Sequence, residues 1–240
     1  MAVSDKVAGR EGYTNTGSEE TWAAVRDSTS ATAANYTSDF SQPNAIGAYF
    51  TTGRGDGAYG VNRSFMYFDV SSITSTDTIS ALTLKVAGVT NDDGNVIVAR
   101  STAFGGDGTS ALVDGDHDSW DPTGTPVAYS SNVSSWVTSG RVSITLNSTA
   151  IAHANSNGYL IITLLDNVHD YPDSAPTVDV FVKNGIRFAS STTSTKNILT
   201  VTHATSGGAF QSDVNQIVYN SSNKINLLSF NDVEEINRVS

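Results

Sequence analysis

Ser64-Phe-Met-Tyr-Phe-Asp-Val70, followed after a short polar break by Thr78-Ile-Ser-Ala-Leu-Thr-Leu-Lys-Val86, decides the fold class. In the second run Leu82, Leu84 and Val86 alternate with Thr83 and Lys85. A period of two puts apolar side chains on one face of an extended chain and polar ones on the other. The first run is apolar at both parities, so either Phe65 and Tyr67 or Met66 and Phe68 turn toward the main core. The same pattern recurs downstream. Asn95–Arg100 follows the turn signal Asn91-Asp-Asp-Gly94, and Arg141–Leu146 places Val142, Ile144 and Leu146 inward with Ser143 and Thr145 outward. Tyr159–Leu165 is apolar on both faces, as in a central strand, and Thr177–Lys183, Ile186–Ser190 and Ile198–His203 complete the set. The one helix-like stretch in the body, Ser148–Asn155, has Asn147 or Ser148 as its cap and Asn157-Gly158 as its stop. Eight or more strands with almost no helix predict an all-β two-sheet sandwich, a jelly roll. Ala31–Gly60 and Ser101–Ser119 read as long loops, where binding commonly resides.

Composition narrows the function classes. The chain has 240 residues, 13 Lys and Arg against 24 Asp and Glu, and a net charge of −11. That balance excludes a basic nucleic-acid binder, because a phosphate backbone is repelled. Cysteine is absent, so disulfides and thiolate metal sites are excluded. No run approaches the ~20 apolar residues of a membrane-spanning helix. The start, Met1-Ala-Val-Ser-Asp-Lys6, lacks a basic segment followed by an apolar one, so no secretory signal is expected.

Composition shifts at Ser206-Gly-Gly208, dividing residues 1–206, the sandwich, from residues 207–240, a docking tail. The tail carries Ile217, Tyr219, Leu227 and Leu228, then Phe230, Val233 and Ile236 at intervals of three, which suits one or two helical turns. It is too short to bury a core alone and should dock on its own sandwich or on another subunit, so these seven residues are the candidate assembly contacts.

Arg63-Ser-Phe-Met-Tyr-Phe-Asp-Val-Ser-Ser-Ile73 and Thr78–Leu84 carry a resemblance, as do Val142–Asn147 with Ala150-Ile-Ala152 and Asn157-Gly158. His169-Asp-Tyr-Pro-Asp173, Arg187–Ser191 and Asn197–His203 extend it. Together they resemble the extracellular β-sandwich family often called DNRLRE-type domains, jelly rolls similar to carbohydrate-binding modules that also occur in structural proteins of tailed phages. The resemblance implies an N-terminal strand at Glu20-Thr-Trp22 with Val25-Arg26, and no shared catalytic site. One departure is Asn197, where the family has Pro before its closing strand. The tail, from Lys224-Ile-Asn to Ser240, resembles the ends of phage virion proteins.

Two groups of carboxylates are candidate Ca²⁺ ligands. Asp114, Asp116 and Asp118 follow the i, i+2, i+4 spacing that opens an EF-hand loop, but Ser119 and Thr125 stand where such a loop needs Gly and Glu. Asp166, Asp170 and Asp173 form the second group, and the two loops could share one ion. The competing reading is a pair of solvated acidic loops, with Trp120 folded back as a lid on the core. Arg54-Gly-Asp56 is an integrin-type tripeptide that is also ordinary turn sequence. Trp120, Tyr129, Trp136 and Tyr171 lie near loops and could stack on sugars, or pack. No nucleophile elbow, P-loop, dinucleotide fingerprint or zinc-protease motif is present in the sequence. The expectation is a non-enzymatic virion protein of a tailed phage, made in the host cytoplasm, requiring no cofactor. It is expected to serve as capsid decoration or head fibre, closing as a homotrimer against other virion proteins. The alternative is a glycan-binding adhesion or receptor-binding module.

Overall fold

The computed structural model describes residues 1–35, 40–52, 57–92, 95–120, 124–177, 181–188 and 196–205. Arg54-Gly-Asp56 and the docking tail, with Ile217, Tyr219, Leu227, Leu228, Phe230, Val233 and Ile236, lie outside the described residues. The strands are β1 (Ala2–Val7), β2 (Arg10–Glu19), β3 (Thr32–Asn35), β4 (Phe40–Thr51), β5 (Ala58–Asp69) and β6 (Asp77–Asp92). They continue with β7 (Val96–Arg100), β8 (Arg141–Thr145), β9 (Tyr159–Asp166), β10 (Phe181–Phe188) and β11 (Ile198–Thr205). Three helices, α1 (Trp22–Arg26), α2 (Ser71–Thr74) and α3 (Ser148–Asn157), are all short.

The strands form a curled antiparallel sheet that packs as an all-β, jelly-roll-like sandwich. One layer runs β1-β11-β6-β8. The other runs β3-β2-β5-β9-β7. β4 and β10 join them: β10 pairs with the second half of β6 and with β4, and β4 pairs with the first half of β5. The apolar faces meet between the layers. Leu82, Leu84, Val86, Ile144, Leu199 and Val201 pack opposite Met66, Phe68, Leu160, Ile162 and Leu164 in one buried cluster. The parity left open by the sequence is thereby settled: Met66 and Phe68 face the main core.

Phe65 and Ile161 are also buried, but on the opposite face of β5 and β9, where they pack with Ala103, Phe104 and Leu112 and half-bury Tyr67. Trp22 and Val25 of α1 cover Ala48 and Val61 on the same layer, and Trp120 covers Ile97, Ala99 and Leu165. The outer face of this layer is therefore roofed by α1 and the 101–120 segment. That is why β5 and β9 are apolar at both parities.

Several expectations need correction. Ala31–Gly60 is not simply a loop: it holds β3, β4 and the start of β5. Pro43, Gly47 and small alanines gave β4 no alternation to read. The N-terminal strand implied at Glu20–Arg26 is instead α1, capped by the Thr21 side chain accepting from Ala24 N. β1 and β2 precede it, and β2 (REGYTNTGSE) is too polar to stand out. Thr177–Lys183 and Ile186–Ser190 are not two strands split at Asn184-Gly185. The described part is one strand, β10, with a bulge there. α3 starts and stops where expected, with the Asn147 side chain accepting from Thr149 N and Ala150 N, and Gly158 at φ +72°.

Candidate functional site

The roofed face of the β5–β9 layer is organised by one side chain. Arg63 lies in β5 at the parity of Phe65, and is fully buried with Asp170. Its Nε and Nη2 donate to Asp170 Oδ2 and Oδ1 at 2.8 and 2.7 Å. Its Nη1 donates to the His117 carbonyl at 2.8 Å, and Nη2 also to the Arg26 carbonyl at 2.7 Å. The Trp120 ring caps the guanidinium, its centroid 5.0 Å from Arg63 Cζ and 5.5 Å from Arg26 Cζ. A buried charge persists only when paired and hydrogen-bonded on every side, and this geometry supplies both. Arg26 adds a second tier: its Nε donates to the Asp170 carbonyl at 2.9 Å and its Nη1 to Asp27 Oδ1 at 2.6 Å.

The two acidic loops do converge, and the cation between them is Arg63. Asp170 is engaged by the guanidinium, and Asp173, at φ +56°, accepts from Trp22 Nε1 at 2.9 Å. Asp166 is buried and caps its own turn, its Oδ2 accepting from His169 N at 2.7 Å and more distantly from Val168 N and Asp170 N. Its Oδ1 has no partner, and burial pushes its carboxyl up to about 6. In the other loop, Asp114–Asp118 forms a 3₁₀ turn that spreads its carboxylates apart. Asp116 turns inward and accepts from Val113 N and Phe104 N, and burial raises its carboxyl above the usual range. Asp114 and Asp118 line two different clefts. Among the described residues no three His, Cys, Asp or Glu side chains gather as metal ligands.

His117 locks the 3₁₀ turn to the sheet. Its Nε2 donates to the Val25 carbonyl at 3.3 Å, so its Nδ1 accepts from Thr14 Oγ1 at 2.8 Å. Burial, and then the Arg63 charge, pushes the imidazole down to about 2, so it is neutral wherever the fold persists. The sequence reading missed Arg63 and His117 as organising residues. The available signal was a lone Arg at a buried parity of a strand apolar on both sides.

Of the aromatics considered for sugar stacking, Trp120, Tyr129 and Trp136 are buried, and Tyr171 is half-buried against Trp120. Trp120 thus folds back on the core, as expected of a lid. Beside it opens a cleft of about 400 Å³ lined by Arg100, Thr102, Asp118, Ser119, Trp120, Thr125 and Val127. A second, polar cleft of about 480 Å³ lies between β2, the 28–31 segment, Tyr49 and Asp114. At the far layer, Ser4 Oγ lies 2.9 Å from His203 Nε2, and His203 Nδ1 bonds Asp77. The row has the order of an acyl-transfer relay. Neither of these clefts reaches it, and it straps β1 to β6 across β11. No family model and no curated protein matches the chain.

Proposed function

We propose that this chain is a non-enzymatic structural protein of a tailed-phage particle, a capsid decoration or head-fibre subunit. The observation that carries the reading is the Arg63 knot. Of the side chains that could have done chemistry, Arg63 and Asp170 are buried and committed to each other, and the buried His117 imidazole is committed to Thr14 and the Val25 carbonyl. They tie two loops and α1 to the sheet, which suits a module with a structural role. The resemblance of the tail to virion protein ends supports the placement. Quantitative mass spectrometry of gradient-purified particles tests it: a fixed, symmetric copy number is expected. A chain abundant in infected cells but missing from particles would sink the reading.

A second reading, a glycan-binding adhesion or receptor-binding module, is favoured by a separate observation. The roof leaves one cleft whose charged walls are unspent, between Arg100 and Asp118. Binding on a glycan array is expected under this reading, and a blank array would remove it.

A further inference from the structure

The cleft beside Trp120 holds two opposite charges that do not use each other. Arg100 ends β7 and is exposed, while Asp118 ends the 3₁₀ turn and is half-exposed. Both line the same space of about 400 Å³. Neither the guanidinium nor the carboxylate has a hydrogen bond or ion pair among the described residues. The Asp118 charge adds a small upward push on the Asp116 carboxyl. The buried Arg63 and Arg26 on this face are both engaged by carboxylates, whereas Arg100 is not.

Resting on the second reading above, we propose that this cleft binds an acidic saccharide, a sugar that carries a carboxylate beside free hydroxyls. The planar guanidinium fork of Arg100 matches a carboxylate through two parallel N–H bonds. Asp118, an acceptor only, needs O–H donors, and neighbouring hydroxyls of a sugar ring supply them. Thr102, Ser119 and Thr125 add hydroxyls along the wall. The buried indole N–H of Trp120, which also lines the cleft, has no acceptor. The volume lies within the ~300–1,000 Å³ of small-molecule sites.

Each simpler ligand leaves something unmet. A neutral sugar leaves Arg100 without an anion. A plain carboxylic acid leaves Asp118 without a donor. A phosphate dianion brings no donor to Asp118 and is repelled by it. The walls are also held in place before any ligand arrives. Arg100 N donates to the Val127 carbonyl at 2.9 Å, Thr102 N donates to the Ser119 carbonyl at 2.9 Å, and His117 pins the turn that carries Asp118. Preorganised polar walls of this kind reduce the ordering cost of binding.

The test is an array of uronate-bearing, sialate-bearing and neutral glycans, probed with the full chain and with Arg100→Gln and Asp118→Asn. Titration calorimetry of the best binder against sodium acetate follows. Acidic glycans should be retained over their neutral counterparts. Arg100→Gln should weaken the best binder at least tenfold and abolish that preference, with an unchanged melting temperature because Arg100 is exposed. Asp118→Asn should weaken both acidic and neutral binding. Retention of neutral glycans alone, acetate binding as tight as the sugar, or indifference to Arg100→Gln would overturn the acidic-saccharide assignment while leaving a glycan module standing. An array blank for every class would overturn both.

Discussion

At the scale of single residues, the fold leans on charges placed where charges are costly. Removing one partner of a buried pair strands the other, which costs about 3–5 kcal/mol. Arg63→Met should therefore destabilise by that order in urea unfolding, far more than an exposed Arg→Met change such as one at Arg100. His117 and Asp166 make opposite contributions to pH dependence. The imidazole is held down at about 2, against its ordinary 6.5. Stability from burying it neutral is complete above pH 6.5 and drains away as pH falls below that, by about 2 kcal/mol at pH 5. Asp166 is pushed up to about 6 from 3.8. Its contribution is complete below pH 3.8 and is lost as pH rises through 6, when an ionised carboxylate with one orphan oxygen must stay buried. Thermal melts from pH 4.5 to 8 should show His117→Gln flattening the acid-side decline. Asp166→Asn should raise stability above pH 6, by on the order of 3 kcal/mol at pH 8, seen as a higher melting temperature, and by much less at pH 4.5. A wild-type-like profile in both variants would refute the assignment of these two groups.

Among the elements, β6 decides how the layers join. Its first half pairs with β8 up to Ala87↔Arg141, and its second half pairs with β10 from Gly88↔Ile186. Gly88 sits at the changeover, and a Cβ there would fall 2.0 Å from the Val137 carbonyl oxygen, a backbone atom that cannot swing aside. Gly88→Ala is expected to cost about 1–3 kcal/mol by overpacking, read as a lower urea midpoint with an unchanged slope. Asn197 shows the same economy at the entry to β11. Its Oδ1 accepts from Ala87 N at 2.9 Å and its Nδ2 donates to Glu11 Oε2 at 2.7 Å, tying both layers at a point where a Pro could do neither. Strands with clean alternation, such as β8, and strands apolar on both faces, such as β9, were legible in the sequence. β2 and β4 were not. β2 is mostly polar, and in β4 Pro43, Gly47 and the alanines interrupt the alternation around Ile46.

For the whole molecule, the described residues up to Thr205 form both layers and a shared core. A chain ending at Thr205 should unfold cooperatively with a melting temperature within a few degrees of the full chain. Under the virion reading, light scattering should show the full chain as a trimer and the truncated chain as a monomer. A truncated chain that still assembles would move the contacts of Ile217, Phe230 and their neighbours off the oligomer interface.

The candidate site divides the same way between what was legible and what was not. Period-two patterning, Asn147 and Gly158 around α3, and the absence of basic excess and cysteine follow from local sequence, because each depends on neighbours a few positions apart. The list of acidic residues was likewise local. What they do was decided by contacts more than a hundred residues apart in places. Arg63 meets Asp170 and Thr14 meets His117 only once β2, β5 and the roof are stacked. Burial then converts candidate ligands into struts, and leaves Arg100 and Asp118 open beside Trp120. A carboxylate's role depends on its partner and its exposure, and both are properties of the folded surface rather than of residue spacing.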